Sequence, residues 1–161
     1  MYTEPPDGRY NLASIATIDT KPSISTQIIQ ARHSDITDIL RLREIAGQSL
    51  KPLPKCFING HINQFYVAII EDTIVGCCRI FKNHSMYELG SLVSSEKGVG
   101  SELIGYAENF ANQKHRGIIA VTRNSILSAM LGNRSWTDSD LFPKRLKESP
   151  EGSKLWLHWG S

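Results

Sequence analysis

The sequence predicts an α+β domain built on one mixed sheet, and three observations carry that expectation. Short apolar runs alternate with amphipathic stretches in the order β-α-α-β-β-β-α-β-α-β. Three of the strand-like runs follow one another with only short polar turns between them, which makes an antiparallel meander. After the third, a loop bearing Gly98 and Gly100 feeds a helix whose apolar residues Leu103, Ile104, Ala107, Phe110 and Ala111 recur at i, i+1, i+4, i+7 and i+8. That spacing lies on one face of a helix packed against a sheet.

Taken in order, residues 1–22 hold Pro5, Pro6, Gly8 and Pro22 among polar residues and are expected to form a flexible arm. Residues 23–161 are expected to form a single domain. Residues 26–32 (TQIIQAR) read as a first strand, followed by Ser34 as an N-cap with Asp35 and Asp38 in the first helical turn. Ile36, Ile39, Leu40, Ile45 and Ala46 supply that helix's apolar face, and the prolines within residues 50–54 break it. Residues 56–62 read as a second short helix. Residues 65–70 (FYVAII) and 74–81 (IVGCCRIF) form a hairpin about a turn at 71–73, and 87–93 (YELGSLV) is the third strand of the meander. The long helix is expected from Ser101 to Gly117, with Lys114, His115 and Arg116 in its last turn. Residues 118–122 (IIAVT) read as a buried strand, 125–131 as a short helix, 141–147 as a helical turn, and 154–159 (KLWLHW) as a final strand.

Composition excludes several classes. The chain has 161 residues, enough for one domain with a sizeable core. It is 40% apolar and 21% charged with net charge +2, so no basic excess argues for nucleic acid. Three cysteines, two of them adjacent at Cys77 and Cys78 in an apolar run, suit buried thiols in a reducing compartment rather than disulfides or a metal site. No apolar stretch reaches the roughly 18–20 residues of a membrane span, and the N-terminus lacks the pattern of a secretory signal. A cytoplasmic protein without metal, nucleic-acid or membrane partners is the expectation. The loop over 97–101 gathers unpaired amides at the positive end of a helix dipole, a place suited to phosphate oxygens.

With these pieces in view, the chain resembles the Gcn5-related N-acetyltransferase superfamily. The resemblance covers residues 26–159 and rests on QIIQARHSDITDIL, FYVAIIEDTIVGCCRIF, YELGSLV, GVGSELI, and NSILSAMLGNRSW, which falls on the pattern N-x-x-A-x-x-x-Y-x-x-x-G-F. Within the superfamily, ELGSLV and LFPKRL with the later SKLWL resemble the acetyltransferase domain of N-acetylglutamate synthase.

The resemblance implies a three-layer α-β-α acyl-CoA N-acyltransferase fold with splayed fourth and fifth strands. It also implies acetyl-CoA as donor and a small amine as acceptor, an amino acid such as glutamate among the candidates. Amino-acid metabolism and a homodimer paired through C-terminal strands follow from the same likeness. It assigns cofactor contacts to Leu92, Val93, Lys97, Gly98, Val99, Gly100, Ser101 and Asn124, with a main-chain amide near Leu92 polarising the thioester carbonyl. Gly90 is compatible with a bulge in that strand. Glu88 is implied as general base, against the plainer reading of a strand glutamate facing solvent or pairing with Arg79. Lys55, Arg145 and Ser153 are implied as acceptor-binding.

The sequence also departs from the pattern. Ser95 stands where the family's loop has Arg or Gln, and the loop is shorter. Leu131 replaces the tyrosine that protonates the leaving thiolate, Ser135 replaces a glycine, and Glu151 replaces a basic residue. These departures keep a second expectation open, a non-catalytic acyl-CoA-binding module.

Overall fold

A computed structural model of the chain describes residues 25–46 and 53–160. The arm expected over residues 1–22 lies outside the described residues, as does most of the proline-bearing break at 50–54. Among the described residues, seven strands form one sheet: β1 (Gln27–Gln30), β2 (Phe65–Ile70), β3 (Thr73–Asn83), β4 (Met86–Ser94), β5 (Ile118–Thr122), β6 (Thr137–Ser139) and β7 (Lys154–His158). The spatial order is β1-β2-β3-β4-β5-β7-β6. β4 and β5 are parallel and every other neighbouring pair is antiparallel. The helices are α1 (Ile36–Ala46), α2 (Lys55–Gly60), α3 (Val99–Lys114), α4 (Ser125–Asn133) and α5 (Pro143–Lys147).

Two apolar layers sandwich the sheet. On one face Val99, Leu103, Ile104, Ala107 and Ala111 of α3 and Leu131 of α4 pack on Tyr66, Cys78, Ile80, Leu89, Ile118 and Ala120. On the other, Ile36, Ile39 and Leu42 of α1 and Ile58 of α2 pack on Phe65, Val67, Cys77 and Val93. Beyond that layer on the same side, Phe142 and Leu146 cover Met86, Ile119, Leu155 and Leu157. The strands alternate between the layers because successive side chains point to opposite faces.

Several details differ from the sequence reading. The first helix opens with a 3-10 turn (His33–Asp35). Asp35 rather than Ser34 does the capping: its Oδ2 accepts from the Arg32 amide at 2.8 Å, and the residue is buried. Ile45 is exposed, and Leu42 and Arg43 are buried in its place. The turn between β2 and β3 places both Glu71 (φ 49°) and Asp72 (φ 66°) in the left-handed region, as a two-residue hairpin loop requires. α3 begins at Val99, earlier than Ser101. It ends at Lys114 through His115 in a left-handed conformation (φ 53°), not at Gly117. Gly117 has a packing role instead, since a Cβ there would meet the side chains of Met86 and Trp159. The strand β6 has only three residues and a polar sequence, so no alternation announced it.

A polar cluster ties α3 to the turn after α4. Arg134 donates through Nη2 to Glu108 Oε1 (2.7 Å) and through Nε to Oε2 (3.0 Å), and Trp136 Nε1 donates to Oε2 (2.7 Å). Burial by itself would raise the Glu108 carboxyl, but these hydrogen bonds outweigh it and its pKa is lowered. A depressed carboxyl contributes stability that is present above its unfolded pKa and is lost as the pH falls through the folded value. Glu108→Gln is expected to cost about 1–2 kcal/mol at neutral pH. Melting curves should show the full difference between variant and wild type above the ordinary glutamate range, and a shrinking one as the pH falls below that range toward the lowered value at which the folded carboxylate takes its proton.

Candidate active site

The site grows from a break in the sheet. β4 pairs with β5 only at Tyr87–Ile118, Glu88–Ile119 and Leu89–Ala120. Past Leu89, β4 continues to Ser94 alongside β3, while Val121 and Thr122 of β5 keep only their pairing with Leu155 and Lys154 of β7. The two parallel strands therefore part, leaving polar edges of both without a strand between them.

A bulge in β4 lies where the strands part. In the β3–β4 register Cys77 pairs with Val93 and Arg79 with Gly90, so Ser91 and Leu92 face the single residue Cys78. The strain falls on Ser91 (φ 53°) and not on Gly90, where the sequence reading expected the bulge. A serine in the left-handed region is uncommon and gives no sequence signal, whereas glycine advertises one. The bulge also moves Leu92 to the opposite face from Glu88, correcting the simple alternation that put Met86, Glu88 and Leu92 together. Leu92 packs with Leu89 on the α3 side, and the Val93 side chain enters the α1 layer. Any contact of Leu92 and Val93 with a ligand in the gap therefore falls chiefly to their main chain.

Next to the gap stands the start of α3. Gly98 holds a left-handed conformation (φ 89°) and no side chain caps the helix. The Val99 amide reaches the Glu96 carbonyl at 3.3 Å and the Glu102 amide reaches Gly98 at 3.2 Å. Among the described residues no protein group accepts from the amides of Gly100 and Ser101. The Val99 side chain is buried, while Lys97 and Gly98 are exposed. Ser101 Oγ accepts from Arg134 Nη1 at 3.1 Å, which places a guanidinium one turn into the helix. Sequence reading missed Arg134 because its contact spans 33 residues. Ser95 turns toward β3, where its amide and hydroxyl both donate to the Val75 carbonyl.

Across the gap, Asn124 Oδ1 caps α4 by accepting from the Ile126 (2.9 Å) and Leu127 (3.0 Å) amides. Among the described residues no group accepts from its side-chain amide N–H groups. Leu131 is fully buried among the α3-side core residues, so no side chain at that position faces the gap.

Glu88 and Arg145, read separately from the sequence as base and acceptor-binding residue, meet in one ion pair. Arg145 Nε donates to Glu88 Oε1 (3.0 Å) and Nη2 to Oε2 (2.7 Å), while Asn83 Nδ2 donates to Oε1 (2.9 Å). Glu88 is 2% exposed. It neither faces solvent nor hydrogen-bonds Arg79, the two plainer readings. The hydrogen bonds that Arg145 donates to Glu88 raise its pKa against the opposing effect of burial. Ser149 Oγ accepts from Arg145 Nη1 at 2.7 Å and fixes the guanidinium on α5. Three of the roughly four acceptor positions of the carboxylate are taken, and one on Oε2 stays open.

An open cleft of about 350 Å³, lined by Asn83, Pro143, Arg145 and Glu148, lies against this pair. A wider one of about 640 Å³ opens at the start of β4 between Met86, Phe142 and Trp159 and includes neither partner of the pair. Lys55 sits exposed at the start of α2, and the Ser153 hydroxyl donates to the Pro150 carbonyl at 2.6 Å. Neither joins the pair. No group of His, Cys, Asp and Glu among the described residues is arranged to hold a metal. No helix among them is long and apolar enough to cross a membrane.

The parted parallel strands, the bulge in the fourth and the uncapped helix between them define a class. The chain has the fold of the Gcn5-related N-acetyltransferases, as its motifs suggested. It matches N-acetylglutamate synthase from Neisseria gonorrhoeae, solved with coenzyme A and N-acetyl-glutamate, with a TM-score of 0.76 at 17% identity over 86% of this chain. It spans 36% of that synthase's length. A Mycobacterium tuberculosis protein solved with CoA matches at TM-score 0.71 and 16% identity, covering 83% of this chain and 98% of that one. A GNAT-family acetyltransferase from Bacillus cereus matches at 0.66 and 14% identity, over 85% and 99% of the two chains. In sequence, the chain is 29% identical over 134 residues to an uncharacterized N-acetyltransferase of Chlorobaculum tepidum, covering 78% of this chain and 85% of that protein. No family model matches the chain.

Proposed function

We propose that the protein is an acetyl-CoA-dependent N-acetyltransferase acting on the primary amine of a small molecule, with an amino acid such as glutamate as acceptor. The observation that carries this reading is the gap beyond Leu89 and Ala120 lying beside the unpaired amides of Gly100 and Ser101. The residues present fit the donor. A Cβ built on Gly98 would meet nothing within 4 Å, and one on Gly100 would meet only Met130 and Ser94 side chains at 3.6 Å, so main chain is open to approach there.

When bound, acetyl-CoA supplies a thioester carbonyl open to attack by an amine. The amides of Gly100 and Ser101, with Gly98, Val99 and the Lys97 charge, hold its diphosphate. The unpaired edge of β4 at Leu92 and Val93 and the Asn124 side chain pair with the amides of its arm. The strained main chain at Ser91–Leu92 aims an N–H at the carbonyl oxygen. Glu88 takes the proton of the attacking ammonium through a water held at the open position of Oε2. With Leu131 in the core, the thiolate leaves without a side-chain acid and takes its proton from solvent.

Likeness to N-acetylglutamate synthase supports glutamate as the acceptor, with Lys55, Arg145 and Ser153 around it. Amino-acid metabolism, a cytoplasmic site and a homodimer belong to the same reading. Sedimentation tests the last of these.

A second reading, a module that binds acyl-CoA without chemistry, draws on Leu131 in the core and on Ser95 turned to Val75. Two measurements separate them. Acetyl-CoA should raise the melting temperature, and free thiol should appear when candidate amines are added. Glu88→Gln should cut turnover by about 10²-fold or more while the acetyl-CoA melting shift persists. A melting shift with no thiol release from any amine would favour the binding module, and no shift at all would remove both.

A further inference from the structure

We infer that Arg79 is the residue that recognises a carboxylate carried by the acceptor. The inference rests on the acetyltransferase reading and adds to it a specificity group that no motif marked. Arg79 lies on β3 directly opposite Gly90, at the edge of the bulge from which β4 leaves β5. Its side chain is held on three sides. Nε donates to Gln64 Oε1 at 2.8 Å, and the guanidinium carbon sits 3.9 Å from the Phe81 ring centre and 4.9 Å from that of Phe57. Phe57 is in turn stacked on His61 at 4.2 Å. Two aromatic faces and one hydrogen bond fix the plane of the guanidinium and leave its end-on Nη pair pointing away from them.

Those Nη groups have no acceptor among the described residues. The one buried carboxylate of the neighbourhood, Glu88, is already satisfied by Arg145 and Asn83. Glu88 and Arg79 do act on each other through space: burial lowers the Arg79 pKa and the Glu88 charge opposes that. Arg145 answers to Glu88 and to the charge of Glu148, whereas the Arg79 Nη pair, on the side of the sheet opposite α3, meets no acceptor among the described residues. A half-buried, immobilised guanidinium with two parallel N–H donors is the geometry that binds a carboxylate bidentately. An ammonium whose molecule also bears a carboxylate would meet the Arg79 fork with its carboxylate and the open position of Glu88 with its amine. An amine without a carboxylate leaves the Arg79 Nη pair without an acceptor.

The test compares matched acceptors that differ only in the anion, L-glutamate against L-glutamine and L-alanine against L-alaninamide. Their binding is measured by calorimetry with and without CoA. Wild type should bind one carboxylate member roughly ten- to a hundredfold more tightly than its neutral mate. Arg79→Gln should erase that preference, and Arg79→Lys, which keeps the charge but not the fork, should retain part of it. Circular dichroism and melting confirm that each variant folds. Equal binding of both members by wild type, no binding of any of the four, or a preference that survives Arg79→Gln would overturn the proposal. So would an equal weakening of both members, which is what a purely packing role of Arg79 would give. Thiol release measured on the same samples keeps the two readings apart. Turnover without a carboxylate preference removes the role of Arg79 and leaves acetyl transfer standing; a preference without turnover does the reverse.

Discussion

Arg145→Ala is expected to lower stability by about 2–3 kcal/mol, a fall of roughly 5–10 °C in melting temperature, and to abolish measurable acetyl transfer. The size follows from what is left behind. Glu88 is 2% exposed, and without Arg145 it keeps a single donor, Asn83. A buried carboxylate stripped of its counter-charge retains its desolvation cost and loses the attraction that offset it. The figure sits below the usual range for a fully buried pair because the Arg145 side chain is 34% exposed. Removing both charges in Glu88→Gln with Arg145→Met should recover most of the loss, since an apolar or amide pair of similar volume has no uncompensated charge. The double variant should stay inactive. Stability that returns without turnover would separate the tie between β4 and α5 from the proton transfer assigned to Glu88. A double variant that turns over normally would remove Glu88 from the chemistry.

Gly76→Val is expected to have the second large effect, on donor binding. Gly76 lies on β3 beneath the first turns of α3. A Cβ added there would come within 2.8 Å of Val99 Cγ1, 3.1 Å of Leu103 Cδ1 and 3.1 Å of the Val93 carbonyl oxygen. Val99 and Leu103 are buried and cannot swing aside, so the helix itself must lift from the sheet. Overpacking of this kind costs about 1–3 kcal/mol. Because the same turn carries the Gly100 and Ser101 amides, lifting it should also weaken acetyl-CoA by tenfold or more, read from the shrinkage of the acetyl-CoA melting shift. Ile39→Ala, a substitution in the α1 layer on the other face, is the control. It should destabilise comparably and leave donor affinity unchanged. Equal losses of affinity in the two variants would mean that donor binding tracks overall stability and not the position of this turn.

How much of this was legible beforehand depends on the reach of each interaction. The β2–β3–β4 meander, the α3 face and the fifth strand stand in the sequence as local periodicities, and each is present within a few residues of where those periodicities place it. The glycine loop before α3 was equally readable, because an uncapped helix start is a property of consecutive residues. Ser91 was not. Its positive φ arises from two residues of β4 facing one of β3, a mismatch that exists only once the strands are paired. In the sequence Arg79 stood only as an alternative partner for Glu88, and Arg145 was implied as acceptor-binding with no sign that it pairs with Glu88. Their roles come from Phe57, Gln64 and Glu88, which lie between 15 and 57 positions away along the chain or close in from a different element.

The chain's own order of apolar and polar residues determined the class of fold, the single mixed sheet and the helix that begins at a glycine loop, because burial of periodic faces is enforced by water at every position independently. Only the tertiary structure decided where the sheet splits, which face Leu92 takes, and that Glu88 is held by Arg145 while the Arg79 Nη pair meets no acceptor among the described residues. Those outcomes depend on the register between strands and on the meeting of charges from separate elements. Neither is a property of any local stretch of sequence.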